Sequence, residues 1–207
     1  MQGFFISFEG CDGVGKTTQA QLLDKKLEKL GRKIILTHEP GGTESAEAIR
    51  EILLGSGKWQ KITELLLYSA SRYEHLQGLI IPSLMDGDIV ICDRYIDSTI
   101  AYQGYGQGID MRIIKAINEI LFSAIQPDIT FILDMAPEKC AARIKVRQVS
   151  NNRYDQMDVS FYQRVRKGFL EISRQKRCHL IKADNDAQSI HAQITSILSS
   201  HTQLKIE

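Results

Sequence analysis

The 207-residue sequence has little of what marks a membrane or secreted protein. Its apolar runs are strand-sized, far short of the roughly 20 residues that a helix needs to cross a bilayer. Its first residues carry no basic region ahead of a long apolar run, so no signal peptide is expected. We therefore expect a protein that does not bind membranes.

Cysteine is scarce and scattered, and this limits the kinds of site available. The four cysteines are far apart, without Cys-x-x-Cys or Cys/His spacing, at Cys11, Cys92, Cys140 and Cys178. This pattern excludes a disulfide framework and a zinc site of the common spacings. We expect reduced thiols and a cytoplasmic protein.

The chain also lacks a large net charge, because 26 Lys and Arg nearly balance 25 Asp and Glu. Without an overall positive field, nucleic acid is not an expected partner. The charge is uneven, however: residues 139–177 hold eleven basic and three acidic residues, and the remainder has a net charge of −7. The basic stretch is therefore a candidate for contact with a polyanion.

Short apolar runs alternate with longer helical patterns, which favours a three-layer α/β fold with helices on both faces of a five-stranded parallel sheet. No linker or repeat divides residues 1–207, so one domain is expected. The predicted strands are Phe4–Phe8, Lys33–Thr37, Asp88–Cys92, Ile129–Leu133 and His179–Lys182. The predicted helices follow Lys16 and cover Thr43–Leu54, Ile62–Met85, Met111–Ile125, Pro137–Val149, Asp158–Arg177 and Ala187–Ser199. Ligands of such sheets bind beyond the carboxyl ends of the strands.

A phosphate-binding loop follows the first predicted strand. It fits the pattern G-x-x-x-x-G-K-[ST] and consists of Gly10, Cys11, Asp12, Gly13, Val14, Gly15, Lys16, Thr17 and Thr18. Its glycines let backbone N–H groups turn toward phosphate oxygens, Lys16 reaches the β- and γ-phosphates, and Thr17 can ligate Mg²⁺. The sequence therefore predicts a P-loop NTPase fold that binds ATP or GTP.

Two further features favour a small phosphotransferase among P-loop proteins. The nearest match to a guanine-reading Asn-Lys-x-Asp motif is Ile181-Lys182-Ala183-Asp184, which lacks the Asn, and the chain is short for a motor ATPase. After the third predicted strand come Asp93 and Arg94. An aspartate there can hold Mg²⁺ together with Thr17, and an adjacent arginine can clamp a phosphate.

The chain resembles the thymidylate kinases, which phosphorylate dTMP with ATP. The resemblance spans nearly the whole chain and includes Phe8-Glu9-Gly10-Cys11-Asp12-Gly13-Val14-Gly15-Lys16-Thr17-Thr18, Glu39-Pro40-Gly41-Gly42-Thr43, Leu67-Tyr68-Ser69-Ala70-Ser71-Arg72-Tyr73-Glu74-His75 and Asp93-Arg94-Tyr95 through Ala101-Tyr102-Gln103-Gly104. The resemblance implies a reaction of dTMP with ATP and Mg²⁺, and a homodimer.

The resemblance also implies an acceptor site. The residues that match its dTMP-binding positions are Asp12, Glu39, Pro40, Tyr68, Arg72, Arg94, Ser98, Thr99, Tyr102 and Gln103. Tyr68 would stack on thymine and Arg72 would donate to its O4, where cytosine carries an amino group. Arg94 would bridge the dTMP phosphate and the transferred phosphoryl group.

A mobile lid is the last implied feature, around residues 143–155 in the basic stretch. Gly13 is neutral where some family members have an arginine, so the chain looks bacterial-type and would take its catalytic cation from the lid. The candidates are Arg143, Arg147 and Arg153, which join Lys16, Asp12, Asp93 and Arg94 as predicted catalytic residues.

Two alternatives remain open from the sequence. One is a kinase for another nucleotide or a deoxynucleoside. The other is a P-loop module that binds nucleotide for regulation with little turnover. Departures from the family pattern, such as His38 where arginine often precedes Glu39, leave its local role open.

Overall fold

A computed structural model describes residues 3–31, 33–55, 57–147, 154 and 157–200, with no side-chain description for residues 30 and 145–147. Five strands form one parallel sheet in the order β2-β3-β1-β4-β5. The strands are β1 (Phe4–Gly10), β2 (Ile34–His38), β3 (Ile89–Asp93), β4 (Ile129–Asp134) and β5 (Cys178–Lys182). This confirms the predicted α/β class, and each strand lies within two residues of its expected bounds.

Burial explains why the strands were visible in the sequence. Every residue of the central strand β1 is buried, because β3 and β4 pair with it on either side and helices cover both faces. The carboxyl ends of β1 and β3 lie side by side, with Phe8 opposite Asp93. The P-loop and the Asp93-Arg94 pair therefore meet at one edge of the sheet.

The helices surround this sheet, and most follow the sequence prediction. They are α1 (Lys16–Leu27), α2 (Glu44–Leu54), α3 (Lys61–His75), α4 (Ile81–Met85), α5 (Ile96–Thr99), α6 (Met111–Phe122), α7 (Pro137–Arg147), α8 (Val159–Ile172) and α9 (Ala187–Ser199). A 3₁₀ turn (Glu28–Leu30) extends α1, and π-helical segments lie at Leu76–Ile80 and Ile100–Gly106. Thus α3, the first π segment and α4 run continuously over the whole of the helix predicted at Ile62–Met85.

Two predicted helices are too long at their carboxyl ends. The helix α6 ends at Phe122, three residues before Ile125, and the Gln126 side-chain amide donates to the Phe122 carbonyl at 3.0 Å. The helix α8 ends at Ile172 rather than Arg177. Arg177 leaves the helix to pair with the buried carboxylate of Asp97 at 2.8 Å, and its carbonyl accepts the Thr130 N–H.

One helical stretch was missed altogether. The helix α5 and the π segment after it carry Ser98, Thr99, Tyr102 and Gln103, so their polar side chains hide any apolar stripe. This stretch packs against α8, and a Cβ at Gly106 would lie 2.7 Å from the Phe161 ring. The close packing fixes the wall of the cleft described below.

The largest core cluster lies between β1, β4, α1 and α8, and Phe131 is a fully buried member of it. Phe131→Ala should lower the free energy of unfolding by about 3–5 kcal/mol, through lost burial and the cavity it leaves. Urea denaturation measures this loss. Met85→Ala, at a side chain that is 80% exposed, should cost under about 0.5 kcal/mol. Equal losses in the two variants would contradict this description of the core.

Two further features of the described residues are the length and polarity of the helices and the state of the cysteines. Among the described residues, every helix is too short or too polar to cross a bilayer. All four cysteines are free and buried. Burial raises the pKa of Cys11 to about 12, so this P-loop thiol is a poor nucleophile.

Candidate active site

The P-loop joins β1 to α1 and depends on glycine at points of close approach. Gly10 has a φ of 135°, and a Cβ there would lie 2.4 Å from the carbonyl oxygen of Leu133. Gly13 has a φ of 77°, and its Cβ would lie 2.8 Å from the carbonyl oxygen of Cys140 on α7. Larger residues would therefore strain the loop and push it away from β4 and α7, which pack against it.

Lys16 begins α1 and folds back over the loop. Its side chain is nearly buried, and Nζ donates to the carbonyl oxygens of Gly10 at 3.1 Å and Cys11 at 2.9 Å. Burial and the nearby Arg94 charge lower the pKa of Lys16. The ammonium group is thus held at the centre of the loop, where a bound phosphate would meet it.

Thr17 and Asp93 come together as the sequence predicted. The Thr17 hydroxyl donates to Asp93 Oδ2 at 2.5 Å. Asp93 Oδ1 is buried and has no hydrogen-bond partner among the described residues. A hydroxyl beside a carboxylate with a spare oxygen is the donor chemistry that Mg²⁺ prefers.

Arg94 directly follows β3, and its side chain extends to the P-loop and contacts it. Its backbone has a φ of 77°, a conformation that non-glycine residues rarely adopt. Its guanidinium group donates to Asp12 at 2.6 Å, Ser98 at 2.9 Å and the Gly10 carbonyl at 3.2 Å, and it lies over the Tyr102 ring. These contacts of the two terminal nitrogens hold the strained turn in place.

Asp12 is held in its charged form by this arrangement. Burial alone would raise the pKa of Asp12, but the charges of Arg94 and Lys16 outweigh burial and lower it. Its second oxygen accepts from the Tyr102 hydroxyl at 2.9 Å. Asp12 therefore fixes both Arg94 and Tyr102 at the mouth of the P-loop.

Glu9 supports Arg94 from behind, a role that the sequence analysis did not assign. Its carboxyl group accepts from the Tyr95 N–H at 2.7 Å and the Ser98 hydroxyl at 2.6 Å, and Ser98 in turn accepts from Arg94. Burial, with a further contribution from Asp97, raises the pKa of Glu9 to about 8. An acid directly before the P-loop was the only sequence signal of this support.

The raised pKa of Glu9 predicts a pH-dependent stability. Between the ordinary pKa of 4.5 and the folded value of about 8, the folded state keeps a proton that the unfolded state has lost. The free energy of unfolding of the wild type, relative to that of Glu9→Gln, should fall as the pH rises through this window, by on the order of 1 kcal/mol per pH unit. Urea denaturation of both proteins at several pH values measures it. A difference that is constant with pH would contradict the shift.

A cleft opens beside the P-loop. It is lined by Asp12, Glu39, Pro40, Arg50, Leu54, Tyr68, Arg72, Arg94, Ser98, Thr99, Tyr102, Gln103 and Tyr154. All ten residues predicted for the acceptor site are in this set. Their binding of dTMP stays a prediction.

Arg72 is the most constrained cation of the cleft, with only 2% of its surface exposed. Its guanidinium group donates to the Glu39 carboxylate at 2.5 Å, the Thr99 hydroxyl at 2.9 Å and the Tyr95 carbonyl at 3.1 Å. Burial opposes its charge, but the Glu39 carboxylate outweighs burial, and the pKa of Arg72 is raised. Two of its five N–H groups remain for other acceptors.

The loop that carries Glu39 is braced from two sides. Behind it, His75 lies fully buried, with Nδ1 3.1 Å from Glu39 Oε1 and Nε2 2.8 Å from the Thr37 hydroxyl. In front, His38 Nε2 lies 2.9 Å from Glu47, whose carboxylate also accepts the Gly42 N–H at 2.8 Å. His38 therefore contacts the loop through Glu47 in this chain.

The predicted lid is described only in part. Arg143, on α7, points toward the P-loop, with Nη1 3.5 Å from the Val14 carbonyl and Nη2 3.4 Å from the Ala183 carbonyl. Arg153 and the side chain of Arg147 lie outside the described residues. Tyr154 is described, and it is buried against the acceptor cleft.

Sequence reasoning missed four residues of the cleft and its wall: Arg50, Leu54, Tyr154 and Glu64. Arg50 and Leu54 lie on α2, and Arg50 is close to the cleft because it donates to the Pro40 carbonyl at 2.5 Å. Glu64 lies behind the cleft, on the buried face of α3. The buried face of α3 is itself largely polar, with Ser69, Ser71, Arg72 and His75, so no apolar pattern singled out Glu64 in the sequence.

The comparisons with known proteins agree with this geometry. The thymidylate kinase family model matches residues 8–194. A thymidylate kinase of Wolbachia pipientis subsp. Culex pipiens (strain wPip) is 44% identical over 200 residues, which cover 94% of this chain and 95% of that protein. One of Trichormus variabilis (strain ATCC 29413 / PCC 7937) is 40% identical over 206 residues, covering 97% and 98%.

A solved structure gives the same result for the fold. The crystal structure of thymidylate kinase from Ehrlichia chaffeensis superposes with a TM-score of 0.78 at 40% identity, over 96% of this chain and 99% of that chain. Similarity of this extent covers the P-loop, the acceptor cleft and the sheet that joins them. The chain belongs to the thymidylate kinase family.

Proposed function

We propose that this chain binds ATP on its P-loop and dTMP in the adjacent cleft, and transfers the γ-phosphoryl group to form dTDP and ADP. The observation that carries the proposal is the position of Arg94. It lines both the acceptor cleft and the second cleft that contains Lys16, Thr17 and Asp93. The Arg94 guanidinium group thus faces the places where an acceptor phosphate and a donor triphosphate would meet, and Arg50 is a second arginine that lines both clefts.

The reaction requires that the two substrates are positioned in line and that the negative charge on the transferred phosphoryl group is neutralised. A phosphate monoester has a second pKa of about 6, so the attacking oxygen of dTMP is already ionised near neutral pH and needs no general base. That oxygen forms a bond to the γ-phosphorus, and the bond from the γ-phosphorus to the bridging oxygen of ADP breaks. Arg94 and Lys16 would stabilise the charge that spreads over the transferred group.

Thr17 and Asp93 would hold Mg²⁺, since they offer a hydroxyl and a carboxylate with a spare buried oxygen. When bound, this ion neutralises charge on the β- and γ-phosphates. Asp12 would instead support the reaction by fixing Arg94, with which it forms an ion pair at 2.6 Å.

The nucleoside of ATP would lie in a third cleft on the other side of the P-loop. Its lining includes Val14, Thr18, Arg143, the loop residues Asn185 and Asp186, and Ala187 at the start of α9. Arg143, one of the predicted lid arginines, is among the residues that line this cleft. We propose that residues 143–155 act as a lid over the donor and that Arg143 contributes a cation to it, with Arg147 and Arg153 as further candidates.

Base recognition would combine stacking with polar selection. Tyr68 borders the cleft, and its aromatic ring can stack on any base. The two remaining N–H groups of Arg72 would donate to the O4 of thymine, where cytosine presents a donor instead. Selection between these bases would therefore depend on Arg72.

Arg72→Met should lower the preference for dTMP over dCMP by about tenfold or more, because a site built to hydrogen-bond a group discriminates through it. The KM for ATP should change little, since Arg72 does not line the P-loop cleft. The ratio of kcat/KM for the two acceptors measures the preference. An unchanged ratio in a folded variant would show that Arg72 does not select the base.

The proposal also covers the oligomeric state of the chain and its location in the cell. On α3, Ile62, Leu66 and Tyr73 form an exposed stripe, and α6 exposes Ile113 and Ile120. Apolar surfaces of this kind are typical of protein interfaces, and we propose that they pair in a homodimer. Four free, buried cysteines support a reducing, cytoplasmic location.

The test of the proposed function is ADP release with ATP and each of dTMP, dUMP, dCMP, AMP and thymidine. We expect the highest kcat/KM with dTMP. Faster turnover of thymidine than of dTMP would indicate a deoxynucleoside kinase, whose neutral acceptor needs a base. Absence of turnover with every acceptor would indicate a nucleotide-binding module. Either result would overturn the proposal.

A further inference from the structure

A buried hydrogen-bond cluster lies behind the acceptor cleft and centres on Glu64. None of the binding roles proposed above is assigned to Glu64. Glu64 is 1% exposed on α3, and its Oε1 accepts from three side chains. These are the Gln103 amide at 3.0 Å, the Gln107 amide at 2.6 Å and the hydroxyl of Tyr154. Of the three donors, Gln103 and Tyr154 also line the cleft.

The cluster fixes the orientation of the Gln103 amide. A glutamine side chain can present either its NH₂ group or its carbonyl oxygen, and the neighbours decide which. The Tyr154 hydroxyl gives its proton to Glu64, so its oxygen accepts from Gln103 Nε2 at 2.9 Å. Both neighbours of that nitrogen are therefore acceptors, and the carbonyl oxygen is the group that Gln103 offers to the cleft.

A carbonyl oxygen that faces the cleft would distinguish bases by whether they carry a proton at N3. Thymine and uracil carry an N–H donor at N3, whereas cytosine has an unprotonated acceptor nitrogen at that position. We infer that Glu64 is a positioning residue for base selection: it holds Gln103 with its carbonyl oxygen toward the cleft and so favours bases with an N3–H. This inference rests on the proposed function.

Glu64→Met tests the inference because it keeps the length of the side chain and removes the acceptor. The Tyr154 hydroxyl then loses its carboxylate acceptor, and the Gln103 carbonyl, rotated away from the cleft, is an acceptor that can replace it. We expect the kcat/KM ratio of dTMP to dCMP to fall at least about tenfold. The ratio of dTMP to dUMP should stay within about twofold, since both bases carry N3–H and O4.

A second variant separates orientation from packing. In Glu64→Met combined with Gln103→Glu, a carboxylate replaces the amide and presents an acceptor in either orientation. This double variant should recover most of the preference for dTMP over dCMP. Gln107→Met serves as the matched control, because Gln107 also donates to Glu64 but does not line the cleft, and it should leave both ratios unchanged.

The outcomes are distinguishable. The inference is overturned if the kcat/KM ratio of dTMP to dCMP in Glu64→Met stays within about twofold of the wild-type ratio. It is also overturned if that ratio is lost in Glu64→Met and is not recovered in the double variant. In both cases the proposed function stands, provided that the wild type turns over dTMP. If Glu64→Met fails to fold, Glu64→Gln replaces it, with a smaller loss of the same ratio expected and an unchanged ratio overturning the inference. Lack of dTMP turnover by the wild type would overturn the proposed function itself.

Discussion

Replacing Arg94 with alanine should lower kcat for dTDP formation about a thousandfold, in line with arginines that stabilise transferred phosphoryl groups. The expectation follows from its position, because Arg94 borders both the acceptor cleft and the P-loop cleft. Its partners Asp12 and Ser98 hold it there at 2.6 and 2.9 Å. Arg94→Lys keeps the charge but loses the planar fork, so it should recover only part of the rate.

The matched control for Arg94 is Arg174→Ala. Arg174 is 76% exposed and pairs only with Glu171 in the described contacts, so its loss should leave kcat unchanged. Steady-state ADP release with ATP and dTMP measures both variants, and urea denaturation shows whether each is folded. A folded Arg94→Ala variant that retains more than about a tenth of the wild-type rate would contradict the bridging role.

Replacing Lys16 with methionine should lower kcat by about a hundredfold to a thousandfold, the cost of removing one fixed donor from a charge-stabilising site. Lys16 is buried in the P-loop, with Nζ on the carbonyl oxygens of Gly10 and Cys11. Since it does not line the acceptor cleft, the affinity for dTMP should stay near that of the wild type. Equilibrium titration with dTMP and kinetics with ATP separate these two effects.

Lys139→Met is the control for the loss of a lysine near the donor site. Lys139 lies on α7 in the basic stretch, with 64% of its side chain exposed and an ion pair to Asp184. It should retain full activity, because exposed pairs contribute little. Equal losses of rate in the two lysine variants would mean that general positive charge, rather than the placement of Lys16, supports the reaction.

The sheet and the P-loop were predictable because they depend on local sequence. Buried parallel strands such as β1 are continuous apolar runs, and the glycines at Gly10 and Gly13 follow from backbone conformations that other residues resist. Turns that depend on distant partners were not predictable. Arg177 leaves its helix for Asp97, 80 positions away in sequence, and no local pattern records that pairing.

The same distinction holds for the candidate site. Residues at the ends of β1 and β3 were found because parallel strands bring those ends together, as with Thr17 and Asp93. Glu9 and Glu64 were missed because each supports another residue from a buried position, through contacts to Ser98 and Gln103 that only the folded chain reveals. For Glu9 the sequence signal is an acid near the end of an apolar strand, whereas the largely polar buried face of α3 leaves no such signal for Glu64.

The central claim is that the acceptor cleft and the P-loop form one continuous active site joined at Arg94. The most direct test is inhibition by a molecule in which thymidine and adenosine are joined through their 5′ oxygens by a phosphate chain. We predict competition with both ATP and dTMP, and at least about a tenfold weaker inhibition of Arg94→Ala. Competition with ATP alone, at equal potency on the wild type and Arg94→Ala, would contradict the claim.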